Sequence, residues 1–173
     1  MAAVRKFPAT QLVLYRLPEL LAADPAIPVY ILEGEKDVDR LRALGMVGTC
    51  NPMGAGKWRK EYESHLQGKP VILLPDNDQA GRDHAQKIAI NLNGVVASVK
   101  IVELPDLPEK GDLSDWLDAG GTVDHLQALV DAASEFDPAT VPAPDAETTI
   151  DKGTKKGSGE EELSQQNGRY CPW

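Results

Sequence analysis

Leu73-Leu74-Pro75-Asp76-Asn77-Asp78-Gln79-Ala80-Gly81-Arg82 continues the apolar pair Val71-Ile72, so an apolar run ends in two aspartates spaced i, i+2 before a helix-like stretch begins. Residues i and i+2 of an extended chain project to the same side. Asp76 and Asp78 are therefore expected together at the C-terminal end of a buried parallel strand, the edge where open α/β sheets hold ligands. Two carboxylates held that close repel, and a hard divalent cation such as Mg²⁺ relieves the repulsion. Asp-Asn-Asp is also good turn chemistry, so the pair alone leaves a plain turn open.

A third carboxylate stands upstream. Val29-Tyr30-Ile31-Leu32 is a second apolar, β-branched run, and it ends in Glu33-Gly34-Glu35-Lys36-Asp37. Val38, Leu41 and Leu44 give the following helix its apolar side, with Asp39, Arg40 and Arg42 outside. Gly34 is expected to let the chain turn tightly and leave the acid unobstructed. If the two strands are neighbours, Glu33 faces the Asp76/Asp78 pair, two acids suited to metal and one free for proton transfer or a further metal contact.

These two stretches resemble the Toprim domain shared by bacterial primases, topoisomerases, recombination-mediator proteins and some nucleases. Ile31-Leu32-Glu33-Gly34, with Asp37 three residues beyond Gly34, is similar to its first motif, and Asp76-Asn77-Asp78-Gln79-Ala80-Gly81-Arg82 to its second. Lys110-Gly111-Asp112-Leu113-Ser114-Asp115-Trp116-Leu117 resembles the stretch that follows the last Toprim strand in primases and primase-helicases. The likeness covers roughly residues 26 to 133. It implies an α/β fold with a roughly four-stranded, mostly parallel sheet flanked by helices. It also implies Mg²⁺ or Mn²⁺ on Glu33, Asp76 and Asp78, and metal-assisted nucleotidyl transfer with Glu33 as general base or second-metal ligand. Primer synthesis on a single-stranded DNA template from nucleoside triphosphates is the leading function, with a helicase or other replication protein as partner. A Toprim nuclease and a non-catalytic docking module are the alternatives.

Other residues carry two readings each. Asp112 is an N-cap by default, and the resemblance permits a second-metal contact. Asp37 either returns to the acidic cluster or supplies favourable charge near a helix N-terminus. Arg82 either pairs structurally or contacts a nucleotide phosphate. The loop Asn51-Pro52-Met53-Gly54-Ala55-Gly56-Lys57 is no P-loop, because Asn51 and Trp58 stand where that motif needs Gly and Ser or Thr. It follows the second strand, so Lys57 reaches a phosphate or template strand, or the loop is an ordinary turn. Trp58 among Lys57, Arg59 and Lys60 is the best nucleic-acid candidate, against a solvated face. His65, His84 and His125 lack metal-ligand spacing, which favours surface or packing roles.

Composition limits the rest. The net charge of -9 sits badly with a protein that grips nucleic acid unaided. No apolar stretch approaches the roughly 18 residues that cross a bilayer, and the first residues lack a secretory h-region, so a cytoplasmic location is expected. Cys50 and Cys171 cannot make a four-ligand zinc site, unlike complete primases with their zinc ribbon. Residues 1–27 are too short for the basic subdomain that precedes Toprim there.

The expected organisation is a linker over 1–26, a Toprim catalytic domain over 27–134 and a disordered tail over 135–173. Within the domain, strands are expected near 28–33, 47–50, 70–75 and 98–104. Helices are expected near 35–44, 59–66, 79–92, 112–118 and 122–133. From Phe136 on, Pro138, Pro142 and Pro144 accompany small and charged residues that cannot offset chain entropy.

Overall fold

The structure is a computed structural model that describes residues 12–140. Strands β1 (Val29–Ile31), β2 (Val47–Thr49), β3 (Pro70–Leu73) and β4 (Ser98–Ile101) form one sheet in the order β2-β1-β3-β4. Every pairing is parallel, with Ile31 beside Thr49 and Leu73, and Leu73 beside Ile101. Parallel neighbours need crossovers, and α2 (Glu35–Ala43), α3 (Gln79–Leu92) and a 3-10 helix (Lys60–His65) supply them. Helix α1 (Leu17–Ala22) precedes β1, and α4 (Leu113–Asp118) and α5 (Val123–Ala132) follow β4.

Strand alternation divides the core into two layers. Val29, Ile31, Val71 and Leu73 point to one face and pack with Leu20 of α1, Tyr62 and Leu66 around the 3-10 helix, and Ile88 and Leu92 of α3. Tyr30, Leu32, Ile72 and Leu74 point the other way, onto Val38 and Leu41 of α2, Trp116 of α4 and Leu126 of α5. A sheet covered on both faces explains why these strands read as unbroken apolar runs.

The sequence-based bounds of α3 match the structure, and the strands are shorter than expected at their C-terminal ends. Leu32, Leu74 and Val102 still donate to Thr49, Ile31 and Leu73 across the sheet, at 3.0, 3.0 and 2.9 Å. The helix expected at 59–66 is a 3-10 turn, a form suited to short segments. Its anchors are Tyr62 and Leu66, and Ser64 Oγ donates to the Glu61 carbonyl at 3.0 Å, a local bond that competes with a regular ladder.

Both flanks of the expected domain carry ordered residues. Leu14 and Leu20 are buried in the core, and Tyr15 N donates to the Cys50 carbonyl at 2.9 Å. Phe136 N donates to the Val99 carbonyl at 2.7 Å, returning the chain to the outer side of β4. The rest of the tail expected to be disordered lies outside the described residues.

Candidate active site

Glu33 follows β1 and Asp76 follows β3, so the pairing of these strands brings the two carboxylates to one edge. Asp78 is the N-cap of α3, its Oδ1 accepting from Gly81 N at 2.8 Å. One oxygen of Asp78 is thus spent on the helix, and its other oxygen makes no hydrogen bond among the described residues. Glu33 Oε1 is buried without a hydrogen-bond partner. Removing an acceptor from water unpaired is costly, so this atom marks a place where the chain's own groups leave something unsatisfied.

Electrostatics carries the same message. Burial, then the charges of Glu33, Asp37, Asp112 and Asp78, pushes the Asp76 carboxyl up to about 7. Burial, then Asp78, raises Glu33 as well. The acids oppose one another's ionisation. A divalent cation with hard oxygen ligands fits such a set. Among the described residues, however, no three His, Cys, Asp or Glu side chains are grouped closely enough to hold a metal ion as they stand.

Gly81 makes this arrangement sterically possible. A Cβ there would come within 2.7 Å of Glu33 Oε1 and 2.7 Å of the Asp76 carbonyl oxygen. The need is for space against a neighbouring strand end, a requirement hidden in a helix sequence. Gly34 works differently from expectation. Its backbone is ordinary extended chain (φ -116°, ψ 148°), so no special turn requires glycine, and a Cβ there would meet Asp37 Oδ2 at 3.2 Å.

Asp37 and Asp112 tie α2 to α4. Buried Asp37 Oδ1 accepts from Ser114 N at 3.0 Å and Ser114 Oγ at 2.6 Å. Asp112 caps α4 in a capping box with Asp115, and its Oδ2 accepts from Lys36 Nζ at 2.6 Å. Burial works against the charge of Asp112, but the Lys36 hydrogen bond and the cap outweigh it and lower its pKa. The N-cap reading of Asp112 is realised.

Asn77, between the two aspartates, escaped sequence reasoning. Its Nδ2 donates to the Leu107 and Pro108 carbonyls at 2.8 and 3.0 Å, fastening the turn after β3 to the loop before α4. Arg82 Nη1 donates to Asn77 Oδ1 at 3.3 Å. Its structural partner is thus an amide and not an acid, which leaves guanidinium donors free.

His84 also gains a role no local signal announced. It is 5% exposed on α3. Gly56 N–H donates to its Nδ1 at 3.0 Å, which leaves Nε2 protonated to donate to Asn51 Oδ1 at 3.0 Å. Asn51 Nδ2 in turn donates to the Gly54 carbonyl at 2.8 Å, and the backbone is left-handed at Met53, Gly54 and Gly56. The glycine-rich loop is therefore a built element pinned to α3. Lys57, Arg59 and Lys60 are exposed and form no ion pair among the described residues.

Neither a family model nor a curated protein matches the chain. Solved structures do. The Aquifex aeolicus primase, comprising zinc-binding and RNA polymerase domains, matches with a TM-score of 0.52 and 23% identity, over 63% of this chain and 26% of that one. The E. coli primase catalytic core matches at 0.54 and 22%, over 70% and 39%. The DnaG primase catalytic domain bound to ssDNA matches at 0.55 and 20%, over 70% and 40%. The match thus takes in between 26% and 40% of each primase chain. Residues 12–140 carry a Toprim-like α/β domain with the fold found in primase catalytic cores.

Proposed function

We propose that this domain, over residues 27–134, is the catalytic part of a DNA primase that makes RNA primers on single-stranded DNA by metal-dependent nucleotidyl transfer. One observation carries the reading. The buried, unpartnered Glu33 Oε1 lies among acids that raise Asp76 to about 7, at the C-terminal edge of two paired strands. Asp76 and the free oxygen of Asp78 would hold Mg²⁺ or Mn²⁺, with Glu33 beside them. Such a cation, when bound, stabilises charge that develops in an in-line displacement at phosphorus.

The chain's own residues supply the rest. Glu33, with its affinity for protons raised by burial, is suited to take the proton of the attacking 3′-hydroxyl. The free donors of Arg82 are suited to phosphate oxygens of the incoming nucleotide. Lys57, Arg59 and Lys60 serve the template or the triphosphate. Asp112 holds Lys36 and α4 in place. A helicase or another replication protein is the natural partner.

Among the described residues no three acids are grouped closely enough to hold a metal as they stand, and this favours one second reading, a non-catalytic module that docks on nucleic acid or a replication complex. The test is to incubate the chain with single-stranded template, labelled ribonucleotides and Mg²⁺ or Mn²⁺, beside D76A/D78A. New oligoribonucleotides that vanish in the variant support the primase. Metal-dependent template degradation points to a nuclease, and template binding without either reaction points to docking.

A further inference from the structure

Behind the glycine-rich loop, on the outer side of α3, lies a groove of about 220 Å³. Trp58 forms one wall and Ile90 another, with Lys87 and Asn91 beside them and Gly56 and His84 at the loop end. Trp58 is half-buried, its ring set edge-on to Tyr62 with centroids 5.5 Å apart and planes at 81°. Ile90 is 44% exposed.

Trp58 packs in part against the core, and two further features bear on what the groove could hold. Trp58 Nε1 is buried without a hydrogen-bond partner, a cost that a phenylalanine or leucine filling the same space would avoid. The cations here are also unspent. The four ion pairs among the described residues use Arg16, Lys36 and Arg40, so Lys57, Arg59, Lys60 and Lys87 make none. Of these cations Lys87 lines the groove beside the Trp58 ring, and a cation next to an aromatic face suits an anionic, ring-bearing ligand.

We propose that this groove stacks an unpaired base of single-stranded nucleic acid between Trp58 and Ile90, with Lys87 on the adjoining phosphate. Base–aromatic stacking tolerates any sequence, because every base has a π-face. A duplex keeps its bases stacked on one another and cannot offer one to the groove. The His84 clamp holds the loop end of the groove in place before a strand arrives. Buried His84 lines both this groove and the small cavity beside Glu33 and Gly81. The inference rests on the nucleic-acid reading above.

The test titrates the full chain with fluorescein-labelled oligo(dT), and with the same oligomer carrying abasic sites. W58L, W58F, K87E and I90E are compared after their melting curves show that they fold. W58L, K87E and I90E are expected to bind about 5- to 150-fold more weakly, and W58F, which keeps a ring, to lose less. The abasic oligomer is expected to bind the wild type more weakly than oligo(dT). Equal binding by wild type and all variants, equal binding of the abasic oligomer, or no oligo(dT) binding by wild type overturns the groove. Primer synthesis is scored in parallel. Unchanged binding with primers still made overturns the groove and leaves the primase. Impaired variants with no primers made support the groove and overturn the primase.

Discussion

Asp76 and Glu33 sit at the ends of neighbouring strands; after burial, the Glu33 charge makes Asp76 harder to ionise, and Asp78 does the same to Glu33. The sign of the resulting pH dependence follows. Asp76 has a folded-state pKa of about 7, above its ordinary 3.8, so between those values the folded state binds the extra proton. Its contribution to stability is full below about 4 and is lost as the pH rises through about 7. D76N is therefore expected to melt higher than wild type above pH 7, with the gap closing on acidification. Mg²⁺ competes with that proton, so it should raise the wild-type melting temperature more at pH 8 than at pH 6, and D76N less at either. Gly81 makes a second prediction. G81A forces a Cβ onto Glu33 Oε1 and the Asp76 carbonyl, and should cost about 1–3 kcal/mol in denaturant unfolding. The acids themselves were legible in the sequence, because a carboxylate at the end of an apolar run has a readable place. Gly81 was legible only as part of a motif, since its reason is an atom of another strand.

Strand and helix order followed from alternating runs and periodic apolar faces, and α3 matched its expected bounds because Asp78 caps it and Leu92 ends its apolar stripe. What escaped were bonds between elements distant in sequence. Asn51 and His84 are separated by 33 positions, and Asp37 and Ser114 by 77, with no local pattern linking them. Each link is open to a direct test. H84A should leave the loop's polar groups unpaired, cost about 1–3 kcal/mol, and speed hydrogen exchange at the Gly56 amide while exchange in β1 and β3 keeps pace only with the global change. D37A should cost a similar amount, about 1–3 kcal/mol, because it strands the buried Ser114 N–H and hydroxyl. S114A should cost less, since it removes the hydroxyl and keeps the amide bond to Asp37.

On the scale of the whole molecule, the sheet order β2-β1-β3-β4 sets the ends of β1 and β3, and with them Glu33 and Asp76, side by side. The acidic chain carries an edge of mutually repelling carboxylates and, on α3, a groove lined by Trp58, Lys87 and Ile90. No helix among the described residues is long and apolar enough to cross a membrane. The match takes in between 26% and 40% of each primase chain. Under the proposed function, Glu33, Asp76 and Asp78 take a catalytic divalent cation. Mn²⁺ titrated into isotope-labelled protein, read as paramagnetic broadening of backbone amides, tests it most directly. Selective broadening over residues 33–35 and 75–79, reversed by excess Mg²⁺ and lost in D76N/D78N, is the predicted result. Broadening centred elsewhere, or unchanged in the variant, would contradict it.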